Sequence, residues 1–304
     1  MGTQQHHYVS RVYLEGFCIP SKDCVAVLDL KTGEIRQQKP NKILRRHDYF
    51  RQRHVPKGMD EFILEKEMGL RIESQLRGII DKLVQGGHGL TEDELIMFIL
   101  HMELQWLRVP KQTNFAKSIA KGFIESFAYS IPDVAKELRK GWYEIKIKDE
   151  FRFNFMRDMT GKIFPYIRRM IWDVWEAPEG YGFITSDNPV TIFNTRVHPL
   201  EVAGIGLLGS TVLFPLTPHH CLELIHPEME TEENPDFLRP IEPKPCDVYY
   251  VHIRGGRIMR ENIAYLANCF IGMGAERYLV GSDINVLAGV HEALKTGRPR
   301  PDIE

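Results

Sequence analysis

The segment from Thr91 to Pro110 constrains the fold more than any other. Thr91 is a good helix N-cap, and Glu94 three residues on completes a capping box, in which each residue satisfies a backbone N–H of the other. Leu95 through Leu107 is so apolar that the helix must be mostly buried. Pro110 limits it, because a residue before proline avoids the helical region. Three side chains break the apolar pattern. His101, Gln105 and Arg108 are spaced by four and three, so they share one face. A buried arginine needs partners, since an unpaired charge away from water costs several kcal/mol.

The rest of the chain must supply them. It has 304 residues, 43% hydrophobic and 26% charged, within the range of ordinary globular proteins. A coiled-coil rod, a collagen-like chain and a disordered chain are excluded. Lys and Arg number 39 against 41 Asp and Glu, so the net charge of −2 gives no global pull toward nucleic acid or anionic lipid. The five cysteines, Cys18, Cys24, Cys221, Cys246 and Cys269, are odd in number and irregularly spaced, which suits a reducing compartment. The N-terminus lacks the basic stretch and apolar run of a signal peptide, and His6 stands where a myristoylation motif needs Ser or Thr. The longest apolar run, Leu95 to Leu100, is far short of a membrane span. The expectation is a cytoplasmic protein with no membrane contact.

Along the chain, three stretches differ in character. Residues 1–60 hold an N-terminal motif and a hairpin over 24–39, with Lys31-Thr32-Gly33 as its turn. Residues 61–141 are helical. One helix spans 60–85, with Met68, Ile72, Leu76, Ile79 and Leu83 on one face and Gly86-Gly87 ending it. The Thr91 helix follows, then one or two helices over 114–140 with a new start at Ile131-Pro132-Asp133. Residues 142–304 are mainly β. Strands are expected at 143–148, 182–185, 211–214, 221–225, 247–253 and 277–280, with a hairpin turn at Gly255-Gly256 and a late helix over 261–270. Residues 151–172 can be helical, and the proline-bearing acidic stretch 227–246 reads as a surface loop. This order describes one α+β domain, helices packed with antiparallel hairpins.

The opening Gln5-His6-His7-Tyr8-Val9-Ser10-Arg11-Val12-Tyr13-Leu14-Glu15-Gly16-Phe17 resembles the signature of the domain-of-unknown-function 4238 family, bacterial for the most part. That signature runs His-Tyr-Val-Pro, two residues, Tyr-Leu, two residues, Phe. Further family-like blocks follow in order: Val27-Leu28-Asp29, Asp48-Tyr49-Phe50, Glu65 with Glu73, Gln105 to Pro110, Phe183 to Val190, and Asn262. Ser10 departs from the pattern, standing where the family has proline. The resemblance implies a shared fold and singles out residues; it implies no particular reaction.

Several groups of residues can carry chemistry. Glu65 or Glu73 can pair with Arg108, while His6 or His7 approaches from the N-terminus. The result is either a catalytic pocket or a structural network joining the N-terminal segment to two helices. The block Ser186-Asp187-Asn188-Pro189 reads as an Asx turn after a strand, a place where an active site also collects a carboxylate. Residues 31–57 hold nine Lys/Arg against two acids, with Tyr49 and Phe50 among them, a composition that suits a phosphate backbone with stacked bases. Residues 223–247 hold eight acids against two bases, so the two segments can instead face each other. Pro132-Asp133 with Glu144-Ile145-Lys146 matches the spacing of metal-dependent nucleases, although Asp133 sits at a helix start. The His6-His7 and His219-His220 pairs point to opposite sides of any strand, and no zinc motif, phosphate loop, dinucleotide fingerprint or nucleophile elbow is present.

Two readings follow. The first is a nuclease or other phosphodiester hydrolase acting on nucleic acid, in stress or defence. Its catalytic set is His6, His7, Glu73, Arg108 and Asp187, and its substrate contacts are Arg11, Tyr49, Gln105, His101, Asn188 and Asn262. No metal ligands are assigned, and a divalent metal is left open. The second is a non-catalytic binding or regulatory module with a protein partner, in which the polar face is structural.

Overall fold

The computed structural model describes residues 5–52, 60–62, 66, 72–198, 202–242 and 251–297. Its architecture is α+β. The helices are α1 (Arg11–Glu15), α2 (Ser74–Val84), α3 (Glu92–Arg108), α4 (Pro110–Tyr129), α5 (Pro132–Arg139), α6 (Phe151–Met159), α7 (Phe164–Arg169), α8 (Glu228–Thr231), α9 (Glu261–Gly274) and α10 (Ile284–Thr296). The strands are β1 (Gln5–His7), β2 (Val25–Asp29), β3 (Ile35–Gln38), β4 (Arg45–His47), β5 (Ile171–Glu176), β6 (Thr185–Ser186), β7 (Thr191–Phe193), β8 (Thr211–Thr217), β9 (His220–Ile225), β10 (Ile253–Ile258) and β11 (Tyr278–Gly281). They form a ribbon β1-β4, a five-stranded sheet β10-β5-β9-β8-β7 and a four-stranded sheet β3-β2-β11-β6.

The five-stranded sheet is buried on both faces, as alternation along β8 shows. Val212, Phe214 and Leu216 join the core that includes Leu76 and Leu83 of α2 and Phe98 and Met102 of α3. Leu213 points the other way, into the core of Leu28, Leu279, Ile271 and Leu287. The Thr91 capping box is present, with Thr91 Oγ1 accepting from Glu94 N–H and Glu94 Oε2 accepting from Thr91 N–H. Val109 is extended, so α3 ends there and Pro110 opens α4. The apolar run of α3 also hides Glu103, whose carboxylate accepts from the N–H groups of Gly161 and Ile163 and so fixes the turn into α7.

The structure departs from the sequence reading at several points. Residues 143–148 pair with no strand among the described residues, so their alternation has no ladder to join there; Glu144 and Lys146 are exposed and pair with each other at 3.1 Å. Asp133 is exposed in the first turn of α5, so the nuclease-like Asp, Glu and Lys are not gathered on adjacent strands. Gly255-Gly256 is not a hairpin turn. It sits within β10, which runs parallel to β5 with a register shift between Arg254 and Arg257. A Cβ on Gly255 would come within 2.9 Å of the Gly86 backbone, and Gly256 has φ +71°. The 182–185 strand shrinks to Thr185–Ser186, because Phe183 and Ile184 donate to Pro218 C=O and Asn268 Oδ1 instead of to a strand. The acidic 227–246 stretch is not all loop: it contains α8, and Pro240 bridges to Leu207. The expected 247–253 strand and the start of the 60–85 helix lie largely outside the described residues. The last helix, α10, is an addition; Asp283 caps it and Gly297, at φ +62°, ends it.

Candidate functional site

The β1-β4 ribbon separates two places where polar side chains gather. Its register pairs His6 with Arg46 and His7 with Arg45. Neighbours on a strand face opposite sides, so the two histidines part company.

His7 faces the α3 side. Its ring is in the field of Arg45, Glu73, Arg11 and Arg108, and burial first, then those arginines, push its pKa down. There the three polar residues of α3 form the shared face that their spacing requires. Arg108 is 3% exposed. Its Nη1 donates to Glu73 Oε1 at 2.8 Å, and its Nε and Nη2 donate to Gln105 Oε1 at 3.1 and 2.5 Å. Gln105 Nε2 donates in turn to Tyr8 C=O at 2.9 Å, and Ser10 N–H donates to Gln105 Oε1 at 3.3 Å. A proline at position 10 could not make that last bond. Burial pushes the Glu73 carboxyl up, but the charge and hydrogen bond of Arg108 outweigh it and hold it below the ordinary range. Burial, helped by Arg108, pushes His101 down to about 3, so this ring is neutral. The cavity beside the cluster is about 10 Å³, enough for one water. His7 Nε2 and His101 Nε2 are buried with no hydrogen-bond partner.

His6 turns to the other side. Its Nδ1 accepts from Phe50 N–H at 2.8 Å, and its ring stacks on Phe50 and meets Phe62 edge-on. The proton therefore sits on Nε2, which has no hydrogen-bond partner. Burial lowers its pKa. Beside it opens a cleft of about 500 Å³, lined by Arg46, His47, Asp48, Tyr49 and Arg51 from one side and by Asp149, Glu150, Arg152 and Phe153 from the other. The Arg152 guanidinium lies 4.1 Å above the Tyr49 ring and 4.7 Å from that of Phe153. Arg46 reaches the Tyr49 and Tyr8 rings at 5.7 and 5.8 Å. Arg51 is held by Glu61 at 2.6 Å, and Asp149 is met by Lys117 at 2.7 Å and by Arg152 Nη2 at 3.5 Å; Arg152 Nε and Tyr49 Oη are buried with no hydrogen-bond partner among the described residues. His47 Nδ1 is 3.6 Å from Asp48 Oδ2. Asp48 takes φ +49°, which aspartate tolerates in turns.

The remaining candidates sit elsewhere. The Asp187 carboxylate accepts from the N–H groups of Glu276, Arg277 and Tyr278, tying the Asx turn to β11. Burial pushes its pKa up to about 6 against the pull of those donors. Asn188 Nδ2 donates to Gly274 C=O, while its Oδ1 is buried without a partner. Arg11 is exposed and pairs with Glu15 at 3.3 Å. Asn262, half-buried in the first turn of α9, joins neither place by a hydrogen bond among the described residues. Thus His7, Glu73, His101, Gln105 and Arg108 come together with Arg11 near enough to act on His7, Tyr49 lines the cleft, His6 is buried against Phe50 and Phe62 on the cleft side of the ribbon, and Asp187, Asn188 and Asn262 lie apart from both. Glu65, Arg53, Lys57 and Cys246 lie outside the described residues.

Sequence reasoning missed Arg152, Asp149 and Phe153, which come from a stretch whose only signal was its mixture of aromatics and bases. It also missed the fully buried Asn268, which bridges Ile184 N–H and Gly182 C=O. Among the described residues, the acidic 223–247 stretch forms ion pairs with Arg169, Arg239 and Arg254 rather than with the basic 31–57 run. No group of three His, Cys, Asp or Glu among the described residues is placed to hold a metal. No helix among them is long and apolar enough to cross a membrane.

An α+β scaffold with an N-terminal ribbon clamped onto a polar helix face defines the class of protein. The chain belongs to the family described as "Protein of unknown function (DUF4238)", whose model matches residues 5–270. No curated protein and no solved structure matches the chain.

Proposed function

We propose that this protein is a nucleic-acid-binding module. The cleft between the β4 region and α6 takes the phosphates of a single strand, and the Glu73–Arg108–Gln105 cluster is a structural clamp that holds the ribbon in place. The observation that carries the reading is the cleft of about 500 Å³, whose walls bring Arg46, Arg51 and Arg152 together with the rings of Tyr49 and Phe153. Guanidinium groups give phosphate oxygens charge-assisted hydrogen bonds, and aromatic rings give bases a surface to stack on. Arg46, exposed and in no ion pair among the described residues, adds a cation at the rim. Phe153, half-exposed, offers an aromatic face to a base. Four free thiols among the described residues fit a cytoplasmic setting.

The catalytic reading keeps the same ligand and moves the chemistry. His47 and Asp48, in the cleft, are the pair available for proton transfer there, in place of the sealed set around Arg108. Fluorescent single-stranded RNA and DNA, incubated with the protein at low salt, test both. Binding that weakens in Arg46→Ala supports the module. Cleavage abolished by His47→Ala makes it a nuclease. Neither binding nor cleavage defeats the proposal.

A further inference from the structure

Among the described residues, the largest concentration of uncovered apolar side chains lies on α4, α5 and the residues just after them. Nine of the fifteen strongly exposed large apolar side chains among the described residues fall between Ile119 and Tyr143. Phe123 and Phe127 are 75% and 71% exposed, and Trp142 and Tyr143 are 74% and 65% exposed. Aromatic side chains present roughly 150–250 Å² each, so these four leave roughly 500 Å² uncovered. For scale, the largest contiguous patch of an ordinary monomer is about 300–600 Å².

The stripe is a core face that outruns the core. Gln112 and Ala116, in the first half of α4, are buried. Steps of three and four residues carry the same face on through Ile119, Phe123 and Phe127, where no described residue covers it. Residues 117–148 hold seven Lys/Arg against four Asp/Glu, with Lys117 taken by Asp149 just beyond. Three of those acids are already met within the segment: Glu125 by Lys121, Glu137 by Lys140 and Glu144 by Lys146. Lys136, Arg139 and Lys148 form no ion pair among the described residues and stay exposed. A second copy of the chain would set this cationic face against itself. An anionic bilayer complements both features, taking aromatic rings at headgroup depth and lysines at its phosphates.

We infer that the 117–148 face docks on an anionic lipid surface. Phe123, Phe127 and Trp142 enter the boundary between headgroups and acyl chains, while Lys136, Arg139 and Lys148 meet lipid phosphates. A balanced net charge does not oppose this, because a surface responds to the local patch and not to the sum over the chain. The inference uses no residue lining the arginine cleft, so Arg46→Ala serves as its internal control.

The test is cosedimentation of the full chain with phosphatidylcholine vesicles, with and without phosphatidylserine, at low and high salt. The expected result is binding only with phosphatidylserine, weakened by salt. It should be unchanged in Arg46→Ala and reduced about tenfold or more in the Phe123→Ser, Phe127→Ser double variant. Both phenylalanines are exposed, so the double variant should keep its circular dichroism and melting temperature. A blue shift of tryptophan emission on vesicles, absent in Trp142→Phe, is an independent readout. Absence of binding to phosphatidylserine vesicles at low salt overturns the inference, as does equal binding to phosphatidylcholine alone. A fall in solution mass in the double variant without lipid also overturns it, because the face would then join two copies.

Discussion

Arginine appears on both sides of the β1-β4 ribbon, and its surroundings decide what it does. Arg108 is sealed, gripped by Glu73 and Gln105, with room for little more than a water beside it. Arg46 and Arg152 border an open cleft and stack on aromatic rings; Arg152 is buried beside Asp149, while Arg46 is exposed and in no ion pair among the described residues. A buried ion pair contributes mainly through the penalty of breaking it, whereas an exposed guanidinium such as that of Arg46 contributes little until a ligand arrives. The same residue type is thus mortar on one side and a receptor on the other.

The comparison breaks most visibly at Arg108. Arg108→Ala leaves Glu73 and Gln105 buried without their partner and should cost about 3–5 kcal/mol of stability, read from denaturant unfolding. The variant's folded fraction should still bind nucleic acid normally. Asp187→Ala strands three backbone N–H groups at β11 and should cost about 3 kcal/mol in the same assay, without touching the cleft.

The sealed side should also be visible in pH. An unfolded histidine takes its proton near 6.5, but folded His101 resists until about 3. Between those values the unfolded chain binds more protons. The contribution of His101 to stability is therefore full above about pH 6.5 and is lost as pH falls toward 3. Between pH 7 and pH 5 the loss is about 2 kcal/mol, and His101→Met should remove it, so the variant's melting curve moves less on acidification than the wild type's. On the open side, Arg46→Ala should change stability by less than about 0.5 kcal/mol while lowering the salt slope of single-strand binding by about 0.7. Ser10→Pro should also have a small effect. Ser10 has φ −52°, which proline accepts, and a stiffer unfolded chain offsets part of the loss of the 3.3 Å bond to Gln105 and of the side-chain cap on Tyr13 N–H, so unfolding should shift by about 1 kcal/mol.

Local signals in the sequence were legible wherever structure is local. The capping box of α3, the break at Val109-Pro110, the β2-β3 hairpin and the shared face of His101, Gln105 and Arg108 all follow from spacings of a few residues. What the sequence concealed depends on partners far along the chain. Gly255-Gly256 looks like a turn until β5, about 80 residues earlier, is laid parallel to it. Residues 143–148 look like a strand until no neighbour is found for them. Arg152 carries no motif, and only folding brings it over Tyr49, across a gap of about 100 residues. The parting of His6 from His7 was legible in principle, because adjacent strand residues diverge, but which one meets Arg108 depended on the ribbon's register.

The most direct measurement is a salt titration of single-stranded oligonucleotide binding to the wild type, Arg46→Ala and Arg108→Ala, with folding of each verified. The account predicts tight binding at low salt, weaker binding with a shallower slope for Arg46→Ala, and unaltered binding by the folded fraction of Arg108→Ala. Absence of binding by the wild type, or loss of binding in fully folded Arg108→Ala with Arg46→Ala unaffected, would contradict it.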